Sequence, residues 1–128
     1  MTITALYEED KLANLAQKQH TYAWDLEKSI PWNQSLDLNK PLVALDEHAI
    51  LFPGASNEQR LAISQMMGLN IAACICEMEE TLERLRKECF ENIIERIPVS
   101  PEFKELGDLF FSEEKKHSQA FRRYLKLY

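Results

Sequence analysis

Glu114-Lys115-Lys116-His117 sets a carboxylate and an imidazole three residues apart in a stretch that reads as helix. At that spacing the two side chains stand one above the other and can grip one metal ion. A third donor, Glu79, lies on the preceding long helix, at a position that can face the pair. An ionised Glu beside an apolar stripe costs several kcal/mol to bury alone, and a cation is one compensation for such a cluster. The competing account is a solvated flank, because Glu113, Glu114, Lys115 and Lys116 also read as a charged, exposed run.

Four segments have to position these groups. Residues 1–30 are expected to hold an N-terminal helix, about Ala5 to Ser29, with Thr4 as cap, acids Glu8 to Asp10 in its first turn, and Pro31 ending it. Residues 31–55 read as a covering loop, broken by Pro41, Pro53 and Gly54 but apolar enough to pack on the helices. Ser56 and Gln59 form a capping-box signature that starts a long helix over 56–97, stopped by Pro98. Its apolar stripe is Met67, Ile71, Cys74, Ile75, Met78, Leu82, Leu85, Cys89 and Ile93. Ser100 and Pro101 then cap and open a last helix over 100–128, whose stripe is Phe103, Leu106, Phe110, His117, Phe121, Tyr124 and Tyr128. The short turn makes the two long helices antiparallel neighbours. Residues equally far from that turn are level, which puts Glu79 at the height of His117. On the helical wheel Glu79 sits about 80° from the stripe centre, closer than Glu77, Glu80 or Glu83. Glu80 has Arg84 four residues on and reads as an ordinary surface pair. Glu80, Glu83 and Glu113 remain substitutes for a named ligand.

The run Ser112-Glu113-Glu114-Lys115-Lys116-His117-Ser118-Gln119-Ala120-Phe121-Arg122-Arg123-Tyr124-Leu125 resembles the iron-binding helix of ferritin-like di-iron carboxylate proteins. The nearest branch is the di-iron oxygenases related to p-aminobenzoate N-oxygenase. The resemblance spans the two long helices and implies an all-α, ferritin-like helical bundle: a long antiparallel hairpin plus an N-terminal helix. It implies Glu79, Glu114 and His117 as iron ligands, two iron ions in the complete site, and manganese able to replace one. It further implies dioxygen activation and oxidation of a small organic substrate, with arylamine N-oxygenation as one precedent. The family's second Glu and second Glu-x-x-His have no counterpart here, since Gln17 and Leu45 stand three residues before His20 and His48. Three explanations stand. The chain is the N-terminal part of a longer enzyme, the expectation favoured by an apolar stripe still running at Tyr128. Alternatively two copies form a homodimer around a twofold axis, or the site is vestigial and the protein a non-catalytic helical interaction module.

Composition narrows the rest. A chain of 128 residues is one domain by length, and its three glycines and five prolines leave two long uninterrupted stretches, as an all-helical protein has. A formal net charge of −6, with no basic face, argues against a nucleic-acid partner. No run approaches about 18 apolar residues, so no membrane span is expected, and the basic-then-apolar start of a secretory signal is missing. The expected location is the cytoplasm. Cys74, Cys76 and Cys89 are expected to be small buried hydrophobes. Asp46-Glu47-His48 reads as a solvated loop, and His20 as a surface residue. Trp24 and Trp32 can line a pocket, though core packing is the commoner use. No phosphate loop, nucleophile elbow or Cys/His nucleophile pattern occurs.

Overall fold

Ser56 opens the longest helix as its sequence requires. Its hydroxyl accepts from the Gln59 amide, and the Gln59 side chain accepts from the Ser56 amide. In this computed structural model, which describes residues 9–44 and 52–127, that helix is α2 (Asn57–Arg86). Before it comes α1 (Glu9–Tyr22). After it come a wide π turn (Lys87–Glu91), the three-residue α3 (Asn92–Ile94) and α4 (Pro101–Leu125). The regular elements among the described residues are all helices, with no strand. Thr4, Glu8, Asp46-Glu47-His48 and Tyr128 lie outside them.

The hairpin forms as expected. Ser100 accepts from the Phe103 amide and Pro101 takes the first helical position. α4 packs along α2, and α1 packs on α4 through the buried Leu12 and Ala16. Residues 38–44 cover the start of α2. The Ser64 hydroxyl, fully buried, donates to the Val43 carbonyl at 2.6 Å and accepts from its amide at 3.0 Å. Leu42 lies against Gly68, where an added Cβ would collide with it.

Three expectations need correction. The first helix stops at Tyr22 rather than Ser29. Asp25 turns its carboxylate back onto the amides of Glu27 and Lys28, and the Ser29 hydroxyl accepts from the Asp25 amide, so the local side chains outcompete the helix. The long helix is not regular to residue 97. At the π turn the Asn92 amide reaches the Lys87 carbonyl, and the extra residue in that turn accompanies a Phe90 swung inward onto Gly107. Phe90 meets Phe103 and Phe111 at centroid distances of 6.2 and 5.6 Å, whereas Phe110, expected inside, is exposed.

The third correction concerns which face of α2 is covered. The residues buried against the rest of the chain are small or polar: Ser64, Ala72, Cys76 and Glu79. The apolar stripe is largely in solvent, with Ile71 49%, Met78 53%, Leu85 37% and Ile93 39% exposed. Cys74 and Cys89 are also exposed; only Cys76 is the buried hydrophobe expected of all three. Asn57–Ile94 also contains an 18-residue window apolar enough on average to cross a membrane by length and composition, although polar residues such as Ser64, Gln65 and Asn70 interrupt it.

Candidate metal centre

α2 and α4 bring Glu79, Glu114 and His117 together. One donor atom from each lies within 4.8 Å of the others, the only such group of three or more His, Cys, Asp or Glu among the described residues. His117 Nδ1 stands 3.2 Å from Glu114 Oε2 and 3.7 Å from Glu79 Oε1, so both carboxylates point at the same ring nitrogen. The two acids are nearly enclosed, with side chains 8% and 12% exposed, while the imidazole is 40% exposed. The antiparallel turn sets the common height. The wheel position of Glu79, in line with Ala72 and Cys76, turns it onto α4.

Glu79 is the anomaly of the cluster. Its Oε2 is buried and no donor reaches it among the described residues. Burial, followed by the adjoining Glu114 carboxyl, pushes its pKa up to about 7, and the nearby His117 only partly opposes this. A buried carboxylate oxygen without a donor costs stability unless something cationic meets it. Two carboxylates and an imidazole, all converging, fit a divalent first-row metal that accepts oxygen and nitrogen ligands, iron and manganese included. Three protein donors alone leave such an ion short of a full set.

The alternative acids are already engaged. Glu83 accepts the Ser118 hydroxyl at 2.6 Å. Glu80 pairs with Arg122, whose hydrogen bonds, the largest cause, hold the Glu80 carboxyl below its ordinary value; Arg84 instead bonds Thr81. Glu113 pairs with Lys116. None of them belongs to the converging group.

Beside the acids lies an apolar cavity of about 290 Å³, walled by Trp24, Ile30, Trp32, Ala120, Phe121, Tyr124 and the ring of His117. Trp24 stacks on His117 at 5.8 Å and 13° between planes, which fixes the imidazole. Lys116, expected on a plain charged face, reaches across to the Trp24 carbonyl at 3.1 Å and over its ring at 5.4 Å. Arg123 lies 4.3 Å over the Trp32 ring and holds both oxygens of Glu27 at 2.8 and 2.9 Å. The Trp32 indole donates to the Leu26 carbonyl at 2.6 Å. These ties wrap residues 24–32 onto α4. Sequence periodicity gave no sign of them, because that stretch is not helical. His20 is exposed, as expected, and pairs with Glu105 at 2.9 Å.

No family model matches the chain, no curated protein matches it, and no solved structure matches it.

Proposed function

We propose that the chain supplies half of a dinuclear iron centre that activates dioxygen and oxidises a small organic substrate. The observation that carries the reading is the donor-free oxygen of Glu79, buried at the meeting point of a second carboxylate and an imidazole. Glu79 and Glu114 would be the carboxylate ligands and His117 would bind through Nδ1, the nitrogen both acids face. Iron, when bound, supplies the one-electron steps that dioxygen chemistry needs. With its pKa near 7, Glu79 gives up a proton as the cation enters, so binding strengthens as pH rises through neutrality. Trp24 stacks on the imidazole, and the apolar hollow opens next to it. Its walls suit an uncharged, ring-bearing substrate about the size of one or two fused rings.

The test is metal content after anaerobic Fe(II) loading and desalting. Wild-type protein is expected to retain substoichiometric, weakly held iron, as half of a ligand set would, and Glu79→Ala or His117→Ala to lose it. Glu83→Ala and Glu113→Ala, whose acids are already paired, are expected to keep it. Equal retention by all five proteins, or none by wild type, refutes the reading.

A second reading has an observation of its own. The exposed stripe on α2 suits a helical interaction module with a vestigial metal site. It predicts association without any metal.

A further inference from the structure

The walls of the apolar hollow come from two parts of the chain that are held in different ways. His117, Phe121 and Tyr124 belong to α4, whereas Trp24, Ile30 and Trp32 belong to the non-helical stretch after α1. That stretch is bonded to itself. The Asp25 carboxylate accepts from the amides of Glu27 and Lys28, the Ser29 amide donates to the Asp25 carbonyl at 2.8 Å, and the Trp32 indole closes onto the Leu26 carbonyl. Residues 24–32 are therefore one compact strap beside the hollow. Among the described residues no backbone hydrogen bond joins the strap to α4. The charged ties come from two α4 side chains. Lys116 donates to the Trp24 carbonyl and lies over its ring; Arg123 lies over the Trp32 ring and grips both oxygens of Glu27. The Glu27–Arg123 pair is open to water, its side chains 66% and 42% exposed, so dissolved salt screens it. Apolar packing between strap and α4 is interrupted by the hollow itself, where facing walls lack dispersion contact.

We propose that the strap is a latched cover: Arg123 and Glu27 hold it seated, and an uncharged aromatic ligand in the hollow is bound by the seated form alone. The ligand class rests on the reading of the hollow given above; the latch does not. Ligand and latch then reinforce each other. A ring held between Trp24, Trp32 and Phe121 touches both walls, and a ligand that favours the seated strap shifts the strap towards it. In the other direction, the ligand's apparent affinity falls with the fraction of chains whose strap is seated. An uncharged ligand thereby acquires a salt dependence that it has no charge of its own to cause. In a rigid hollow, salt would leave apolar burial unchanged or strengthen it.

Calorimetric titration of the full, metal-free chain with 4-ethylphenol, at about 25 mM and about 500 mM NaCl, tests the coupling. Wild type should bind about threefold more weakly at the higher salt. Glu27→Arg sets two cations against each other and should weaken binding about fivefold at low salt, with the salt dependence abolished or reversed. Its circular dichroism should not change, because Glu27 lies outside the helices. Glu27→Arg combined with Arg123→Glu restores an attraction of opposite sense and should regain about half of the lost affinity on a logarithmic scale. Without any ligand, acrylamide should quench Trp24 and Trp32 more strongly in Glu27→Arg than in wild type. Wild-type affinity that is flat or rises with salt, equal affinity or equal quenching in Glu27→Arg, no recovery in the double variant, or no saturable heat from wild type overturns the proposal. Iron retained by a chain whose 4-ethylphenol binding ignores salt refutes the latched cover and leaves the metal centre standing. Binding that follows the latch in a chain that retains no iron upholds the cover and refutes the metal centre.

Discussion

Glu79→Gln in metal-free protein should make the chain more stable, by an amount that depends on pH. A folded-state pKa of about 7 against an ordinary 4.5 means that the native state holds a proton the unfolded chain has released. That contribution to stability is fully present below about pH 4.5 and is lost as pH rises through about 7. At 1.36 kcal/mol per unit, the loss is about 3 kcal/mol. Glutamine keeps the shape and has no charge to bury, so its stability relative to wild type should grow from about zero at pH 4.5 to about 3 kcal/mol at pH 8. In thermal terms that is about 10 °C for a domain of this size. Urea denaturation followed by circular dichroism in the presence of a chelator measures it. The difference between the two proteins cancels the titration of groups that do not interact with Glu79. A difference that is flat with pH, or that favours wild type at pH 8, would show that Glu79 already has a compensating partner and would remove the physical case for a cation there. Fe(II) should then reverse the order, raising the melting temperature of wild type and leaving the Gln variant unmoved.

Other expectations concern the supports of the site. Gly107→Ala places a methyl group against the Phe90 ring and should cost about 1–3 kcal/mol, seen as a lower urea midpoint. Ser118→Ala strips the 2.6 Å hydrogen bond from Glu83, leaving that acid without this donor, and should cost about 1–3 kcal/mol at pH 7 by the same measurement. Trp24 and Trp32 are the only tryptophans in the chain and both line the apolar cavity, so their emission reports on it, though Trp32 also borders a second hollow with Leu36 and Leu38. Naphthalene or 4-ethylphenol should quench or shift that emission saturably, and Ala120→Trp, which fills the cavity, should abolish the saturable change. A linear response in both proteins would mean that neither probe is held.

The hairpin was legible because its signals are local. Ser56 with Gln59, and Ser100 with Pro101, are caps whose partners lie within three residues. The level relation between Glu79 and His117 needs only the turn position and the helical rise. The covered face of α2 was not legible, because periodicity identifies an apolar stripe but not what covers it. Here the intrachain contact uses Ala72, Cys76 and Glu79, and most of the stripe is left exposed. The π turn was hidden for a related reason. It accompanies a long-range contact, a phenyl ring seated on a glycine seventeen residues away, that a local pattern within Lys87–Glu91 does not show. Trp24 and Trp32 came to the site through carbonyls and cations that have no sequence spacing at all.

That wide turn has a consequence for how the chain can vary. It holds one residue more than an ordinary turn of the same rise, so removing Glu88 or Cys89 lets the segment relax into regular α-helix without shortening the arm. The hairpin bend and the α4 cap would stay where they are, while the Phe90 ring would rotate off Gly107 and leave an empty notch. A single codon loss there would leave the distal arm in phase and spare Glu79, about two turns upstream.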